Sequence, residues 1–155
     1  MSFRSLSLVL GVAVLAGFFT SVPLRAGDAG YVGTDACKDC HAEQHSTFKK
    51  FAKKAKSWKS IEIMASDLTP DEVRECYGCH TTGYGKPGGF VSIEKTPHLS
   101  DAGCEVCHGP GGEHAATGDP STIRRKMPMK ECETCHNAER VAAFNFKPLL
   151  YGGAH

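Results

Sequence analysis

Gly103-Cys104-Glu105-Val106-Cys107-His108-Gly109-Pro110-Gly111 is the stretch on which the reading of this chain turns. Two thiols flank two residues, an imidazole follows at once, and a glycine-proline turn closes the run. The same five-residue pattern occurs three more times, as Cys37-Lys38-Asp39-Cys40-His41, Cys76-Tyr77-Gly78-Cys79-His80 and Cys132-Glu133-Thr134-Cys135-His136, and the four copies use all 8 cysteines. Cys-x-x-Cys-His is the attachment pattern of c-type haem. The spacing has a chemical reason. Two thiols must reach two vinyl groups on one edge of a porphyrin. One helical turn presents both sulfurs to that edge and sets the next imidazole over the ring face, where it can bind iron.

Two other uses of cysteine compete. A secreted chain with 8 cysteines can fold on four disulfides, and a Cys-x-x-Cys pair also serves zinc or thiol redox chemistry. A histidine directly after every pair, four times over with no cysteine left, favours haem over both. The expectation is four covalent haems, carried by Cys37 and Cys40, Cys76 and Cys79, Cys104 and Cys107, and Cys132 and Cys135, with His41, His80, His108 and His136 as proximal iron ligands.

The N-terminus reads as an address. Arg4 precedes an apolar run over residues 6–19, shorter than the roughly 20 residues needed to span a bilayer as a helix, and Leu24-Arg25-Ala26 offers a cleavage site before Gly27. Residues 1–26 are therefore expected to be a secretory signal peptide, with an uncleaved membrane anchor as the alternative. Residues 27–155 are expected to form one tetrahaem cytochrome c domain in the periplasm or outside the cell, soluble because no second long apolar run follows. The 155 residues carry a formal charge of +1, and removal of Arg4 and Arg25 leaves 129 residues at −1. A balance so near zero lacks the basic face of a nucleic-acid binder. It also lacks the high net charge of a disordered chain. A chain this short, with 17 Gly and 8 Pro, buries a modest apolar core of its own, so the haems themselves are expected to be the core.

Between the motifs the sequence suggests a mainly α chain with much irregular loop. Over residues 44–64, Phe48, Phe51, Ala52, Ala55, Trp58 and Ile61 recur near helical spacing while the lysines mostly fall elsewhere around the axis, which predicts one helix. Thr69 as N-cap, Pro70 at the first position and the acids Asp71 and Glu72 predict a second helix running into the second motif. Residues 81–89 hold four glycines and a proline and read as loop, 90–93 as a short strand, 118–128 as irregular, and 141–150 as a short helix stopped by Pro148.

Residues 37–136 resemble the multihaem cytochrome c-554 family. The resemblance is carried by the stretch from Cys76 to Gly111, which combines the second motif, Gly83-Tyr84-Gly85, Gly88-Gly89-Phe90 and the run quoted first. It implies a small multihaem cytochrome, mainly helical, wrapped around a core of four closely stacked haems. It also implies electron transfer in the periplasm between redox protein donors and acceptors.

Four histidines remain for the far side of the irons: His45, His98, His114 and His155. His114 follows the Gly-Pro-Gly turn, where the family supplies a distal ligand to its first haem. His98 lies where the family pattern has none, and it is a candidate to close a second haem that can be five-coordinate in the family. His45 stands four residues after His41, so on a helix both project to one side and His45 can reach a neighbouring haem. His155 ends the sequence after Gly152-Gly153-Ala154 and is either tail or a ligand delivered by a flexible arm, even to another subunit. Two departures stand out. The family's helical histidine after the first motif is replaced by Ala52-Lys53-Lys54-Ala55-Lys56-Ser57, and Met127 and Met129 precede the fourth motif where a histidine can stand. Lysines in solvent and methionines against porphyrin are weighed there against amine or thioether ligation.

The sequence shows no nicotinamide or flavin fingerprint. Its leading reading is an electron carrier. The alternatives are a haem enzyme with one open iron acting on a small nitrogen or oxygen species, and a subunit of a haem wire whose chains associate through a terminal ligand.

Overall fold

The computed structural model describes residues 30–137. The expected signal peptide, the helix at 141–150 and His155 lie outside the described residues. Six short α-helices follow one another: α1 (Ala42–Phe51), α2 (Trp58–Met64), α3 (Pro70–His80), α4 (Cys104–His108), α5 (Gly112–Thr117) and α6 (Met129–Glu133). Single 3-10 turns and irregular chain connect them, and there is no strand among the described residues. The architecture is mainly α with much loop, as the sequence suggests.

The clearest local logic is in α3. Thr69 Oγ1 accepts the Glu72 N–H, the Glu72 carboxylate accepts the Thr69 N–H at 2.8 Å, and Pro70 fills the first helical position, where an N–H would have no partner. The helix then runs to His80 and delivers the whole second motif.

The single helix expected over 44–64 is broken in two. Ala52 is extended (φ −78°, ψ 118°), Lys53–Lys56 form a 3-10 turn, and α2 starts afresh at Trp58. The apolar spacing is honoured on both sides, since Phe48, Ala52, Ala55 and Ile61 are all buried. The break comes from long-range bonds. Ser57 Oγ lies 2.7 Å from the His80 carbonyl and accepts the Ala102 N–H at 2.8 Å, and the Trp58 N–H donates to Asp101 Oδ1 at 2.9 Å. A straight helix would carry Ser57 and Trp58 away from these partners.

Nor do residues 90–93 form a strand. The Phe90 N–H donates to the Thr82 carbonyl (2.9 Å), the Val91 N–H to Thr96 Oγ1 (2.8 Å), and the Thr96 N–H closes a turn on the Ser92 carbonyl (2.9 Å). Local turns satisfy the backbone, and among the described residues no neighbouring strand is present to do so.

The polypeptide core is thin. Phe48, Ala52 and Ala55 pack with Cys104. A second group stacks Trp58, Tyr77, Tyr84 and Phe90 with ring centroids 5.2–5.8 Å apart, inside the range of favourable aromatic pairs. The loop after α3 folds back so tightly that a Cβ on Gly89 would run into the Gly83 carbonyl. Among the described residues no helix is long and apolar enough to cross a membrane.

Candidate functional site

Each motif is one turn of helix. The second ends α3 and the third is α4 itself. In the first and fourth, the histidine N–H donates to the carbonyl of the leading cysteine, His41 to Cys37 and His136 to Cys132, each at 2.9 Å. All four therefore have the turn geometry that presents two sulfurs to one edge.

The turns meet in pairs. The thiols of Cys37 and Cys104 share a hydrogen bond, and so do those of Cys79 and Cys135. The contact in the first pair draws Cys104 down to about 6, and the same contact with burial pushes Cys37 up. Cys135 is raised to about 11 by burial first and then by Cys79. All eight cysteines are unbridged, and among the described residues no group of three His, Cys, Asp or Glu converges as ligands of a bare metal ion would.

The histidines are oriented by the backbone. The Nδ1 of His80 contacts the Ser57 carbonyl at 3.0 Å, that of His108 the Arg124 carbonyl at 2.6 Å, and that of His114 the Asp119 carbonyl at 2.9 Å. A carbonyl only accepts, so each Nδ1 carries the hydrogen and each Nε2 is left as the metal-binding nitrogen, the second-sphere arrangement usual for ligating imidazoles. The rings of His41 and His114 lie 6.1 Å apart, with planes 22° from parallel. A metal–imidazole bond is about 2 Å, and each ring centroid lies about 1.1 Å behind its nitrogen. Two imidazoles in line on one iron thus have centroids roughly 6 Å apart. The stacked rings of His41 and His114 have that spacing, which leaves room for a haem iron between them.

The other expected ligands are placed less directly. His45 Nε2 faces Asp35 Oδ1 at 3.0 Å, and that hydrogen bond is the main reason the Asp35 carboxyl lies below its ordinary value. His98 stands exposed on the turn Pro97–Leu99 beside Gly33, where a Cβ would meet the His98 carbonyl at 2.8 Å. Lys53 and Lys56 are exposed, while Lys54 is half-buried with Nζ 3.9 Å from Cys107 Sγ. Met127 is half-buried, and Met129 opens α6 in solvent contact. A cavity of about 330 Å³ opens beside Cys76 and His80, walled by Ile61, Met64 and Leu68.

Sequence reasoning missed what holds the third motif. Glu105, inside that motif, is buried, with 3% of its surface exposed. Its Oε1 accepts the Val32 N–H (3.0 Å) and the Gly111 N–H (2.7 Å), and its Oε2 accepts the Gly33 N–H (2.7 Å). One carboxylate thus fixes the chain entering the first motif and the turn leading to His114. Thr82 adds a second tie, donating to the Asp101 carbonyl (2.6 Å) and accepting the Gly103 N–H (2.9 Å). The one signal in the sequence was an acidic residue between the two cysteines of a motif that must pack against porphyrin.

Comparison with known proteins places the chain among multihaem cytochromes. The family described as cytochrome c554 and c-prime matches residues 36–109. Cytochrome c-554 of Nitrosomonas europaea is 31% identical over an alignment of 171 positions that covers 95% of this chain and 72% of that one. The multiheme cytochrome MtrC of Shewanella baltica is 31% identical over 96 positions, 48% of this chain and 15% of that protein. The high-molecular-weight cytochrome c of Nitratidesulfovibrio vulgaris is 32% identical over 83 positions, 50% of this chain and 13% of that protein. In three dimensions the chain is similar in fold to the reduced state of cytochrome c554 from Nitrosomonas europaea, with a TM-score of 0.57 at 24% identity, covering 79% of this chain and 82% of that one. With covalent c-type haem implied by motif and by relatives alike, this chain belongs to the cytochrome c-554 family.

Proposed function

We propose that the protein is an exported tetrahaem electron carrier working between redox protein partners in the periplasm. The observation that carries the proposal is the His41–His114 pair, 6.1 Å apart and nearly parallel, with His114 Nδ1 tied to the Asp119 carbonyl. Bound haem supplies one-electron exchange at iron. The chain's own part is to fix positions and surroundings. The eight motif cysteines hold the four groups, and His41, His80, His108 and His136 offer the proximal nitrogen. His114 closes the first site from the far side. His45, His98 and His155 are the imidazoles available to the other three, and His45 would exchange its Asp35 contact for the metal or bind through Nδ1. The touching thiols of Cys37 with Cys104 and of Cys79 with Cys135 bring attachment points together in pairs. Short distances between edges are what a carrier needs.

Intact mass of the exported protein tests the reading. A polypeptide beginning near Gly27 plus four haems is expected; polypeptide plus zinc would end it. His114→Ala is expected to turn one low-spin haem high-spin, and an unchanged spectrum and potential would make His114 a loop residue.

A second reading keeps one specific support. Among the described residues the lining of the cavity beside His80 brings no second imidazole to it, which suits an open second haem and hence an enzyme acting on a small nitrogen or oxygen species. Carbon monoxide binding by the reduced wild type separates the two: the carrier with saturated irons binds none.

A further inference from the structure

Lys54 turns inward from a run of lysines that otherwise faces water. Its Nζ lies 3.9 Å from Cys107 Sγ and 5.9 Å from the centre of the Phe48 ring, while Lys53 and Lys56 are exposed. The ion pairs among the described residues join other groups, and none places a carboxylate on Lys54. The side chain therefore brings a positive charge, half withdrawn from solvent and uncompensated by an acid, to the attachment edge of the third motif.

We propose that Lys54, with its Nζ against Cys107 Sγ, raises the reduction potential of the third haem site. The proposal rests on haem attachment at Cys104 and Cys107.

The physical reason is electrostatic. Reduction removes one unit of positive charge from the site, so a nearby fixed cation stabilises the reduced state. Half-burial weakens screening by water and salt, whereas charges on exposed side chains such as Lys53 and Lys56 are largely screened. The electron balance is simple. One electron enters from a reduced donor protein and one leaves to an oxidised acceptor protein, with no bond made or broken and no proton retained. Lys54 acts only on the energy of the reduced state in between.

The experiment is a potentiometric titration of the exported holoprotein and its Lys54→Gln, Lys54→Met, Lys54→Arg, Lys53→Gln and Lys56→Gln variants, with spin state read from the same samples. Mass is measured first on the wild type: loss of haem from the third motif there ends the site assignment, whereas four haems leave the potentials to judge Lys54 alone. The neutral variants are expected to lower one or two of the stepwise potentials by about a tenfold change in the ferric-to-ferrous ratio, 59 mV for one electron. Lys54→Met serves if Lys54→Gln fails to accumulate. Lys54→Arg is expected to keep the wild-type values, as are Lys53→Gln and Lys56→Gln. Equal shifts in all three neutral glutamine variants would reduce the effect to net charge and overturn the proposal. So would unchanged potentials, or a new high-spin signal in Lys54→Gln, which would make Lys54 an iron ligand instead of a neighbouring charge.

Discussion

The third and fourth motifs share one five-residue form and stand 28 residues after the motif before them, yet the chain holds them in different ways. The third is tied across the sequence. Glu105 accepts backbone N–H groups more than 70 residues away in the chain, Thr82 accepts from Gly103, and the Cys104 N–H donates to Thr34 Oγ1 at 3.3 Å. The fourth rests on α6, a helix of five residues with no side-chain cap. Ties to the rest of the chain run through Arg124, whose N–H donates to the His108 carbonyl at 3.1 Å and whose guanidinium meets Glu131 at 3.0 Å, and through the Cys79–Cys135 thiol contact. The lesson is a division of labour. Buried hydrogen bonds from distant parts of the chain tie the third site, whereas the ion pair at the fourth joins exposed groups.

Removing cysteines from each motif should break the symmetry of sequence most visibly. Cys132→Ala with Cys135→Ala is expected to yield a three-haem protein whose remaining sites keep their spectra and potentials apart from a neighbour's charge. Cys104→Ala with Cys107→Ala is expected to abolish accumulation of folded protein, because the Glu105 junction and the first motif lean on that turn. Intact mass and visible spectra of both exported variants decide. Equal survival of the two would mean that the ties around Glu105 do not organise the fold.

A finer version isolates the carboxylate. Glu105→Ala leaves three N–H groups without an acceptor, those of Gly33 and Gly111 buried and that of Val32 half-buried, and an unsatisfied buried donor costs about 1–3 kcal/mol. A loss of roughly 3 kcal/mol or more in denaturant unfolding is expected, with His114 among the groups released because the Gly111 N–H is one of the three. Glu105→Gln should fall between, since one oxygen still accepts while the amide N–H₂ meets donors. Wild-type stability in Glu105→Ala would place the strength of this junction elsewhere.

Much of this was legible beforehand, and the part that was not has one cause. The motifs and the Thr69 cap are local patterns, and the cap is formed as expected; His114 was read through the resemblance as distal to the first haem, and its ring lies 6.1 Å from that of His41. The break at Ala52 was hidden because the apolar spacing continues through it; Ser57 decides the break, and its partners His80 and Ala102 are 23 and 45 residues away. Residues 90–93 have strand-forming side chains, but a strand also needs a neighbour, which no single segment reveals. Glu105 reads as an ordinary variable position of the motif until the backbone it serves is seen. Distant hydrogen bonds to main-chain groups leave no periodicity to detect.

The smallest effect sharpens the comparison at its hinge. Arg124 joins the two regions twice, by backbone and by side chain, and Arg124→Gln removes only the second. Its N–H still donates to the His108 carbonyl, and its carbonyl still accepts from His108 Nδ1. What is lost is an ion pair whose partners are 41% and 44% exposed. Pairs of that kind contribute about 0–1 kcal/mol and are screened as ionic strength rises. Arg124→Gln is therefore expected to cost less than about 1 kcal/mol at low salt and nothing measurable at high salt. A second reading comes from Tyr31. Its hydroxyl lies above its ordinary value through burial first and then the Glu105 charge, while Arg124 pulls the other way. Removing Arg124 should raise it further, whereas Glu105→Gln should lower it. Ring-labelled tyrosine followed by NMR across alkaline pH can see both changes. If Arg124→Gln leaves Tyr31 unmoved and yet loosens the third motif as much as the fourth, Arg124 is a structural tie for both regions and the contrast between them fails at a residue that connects them.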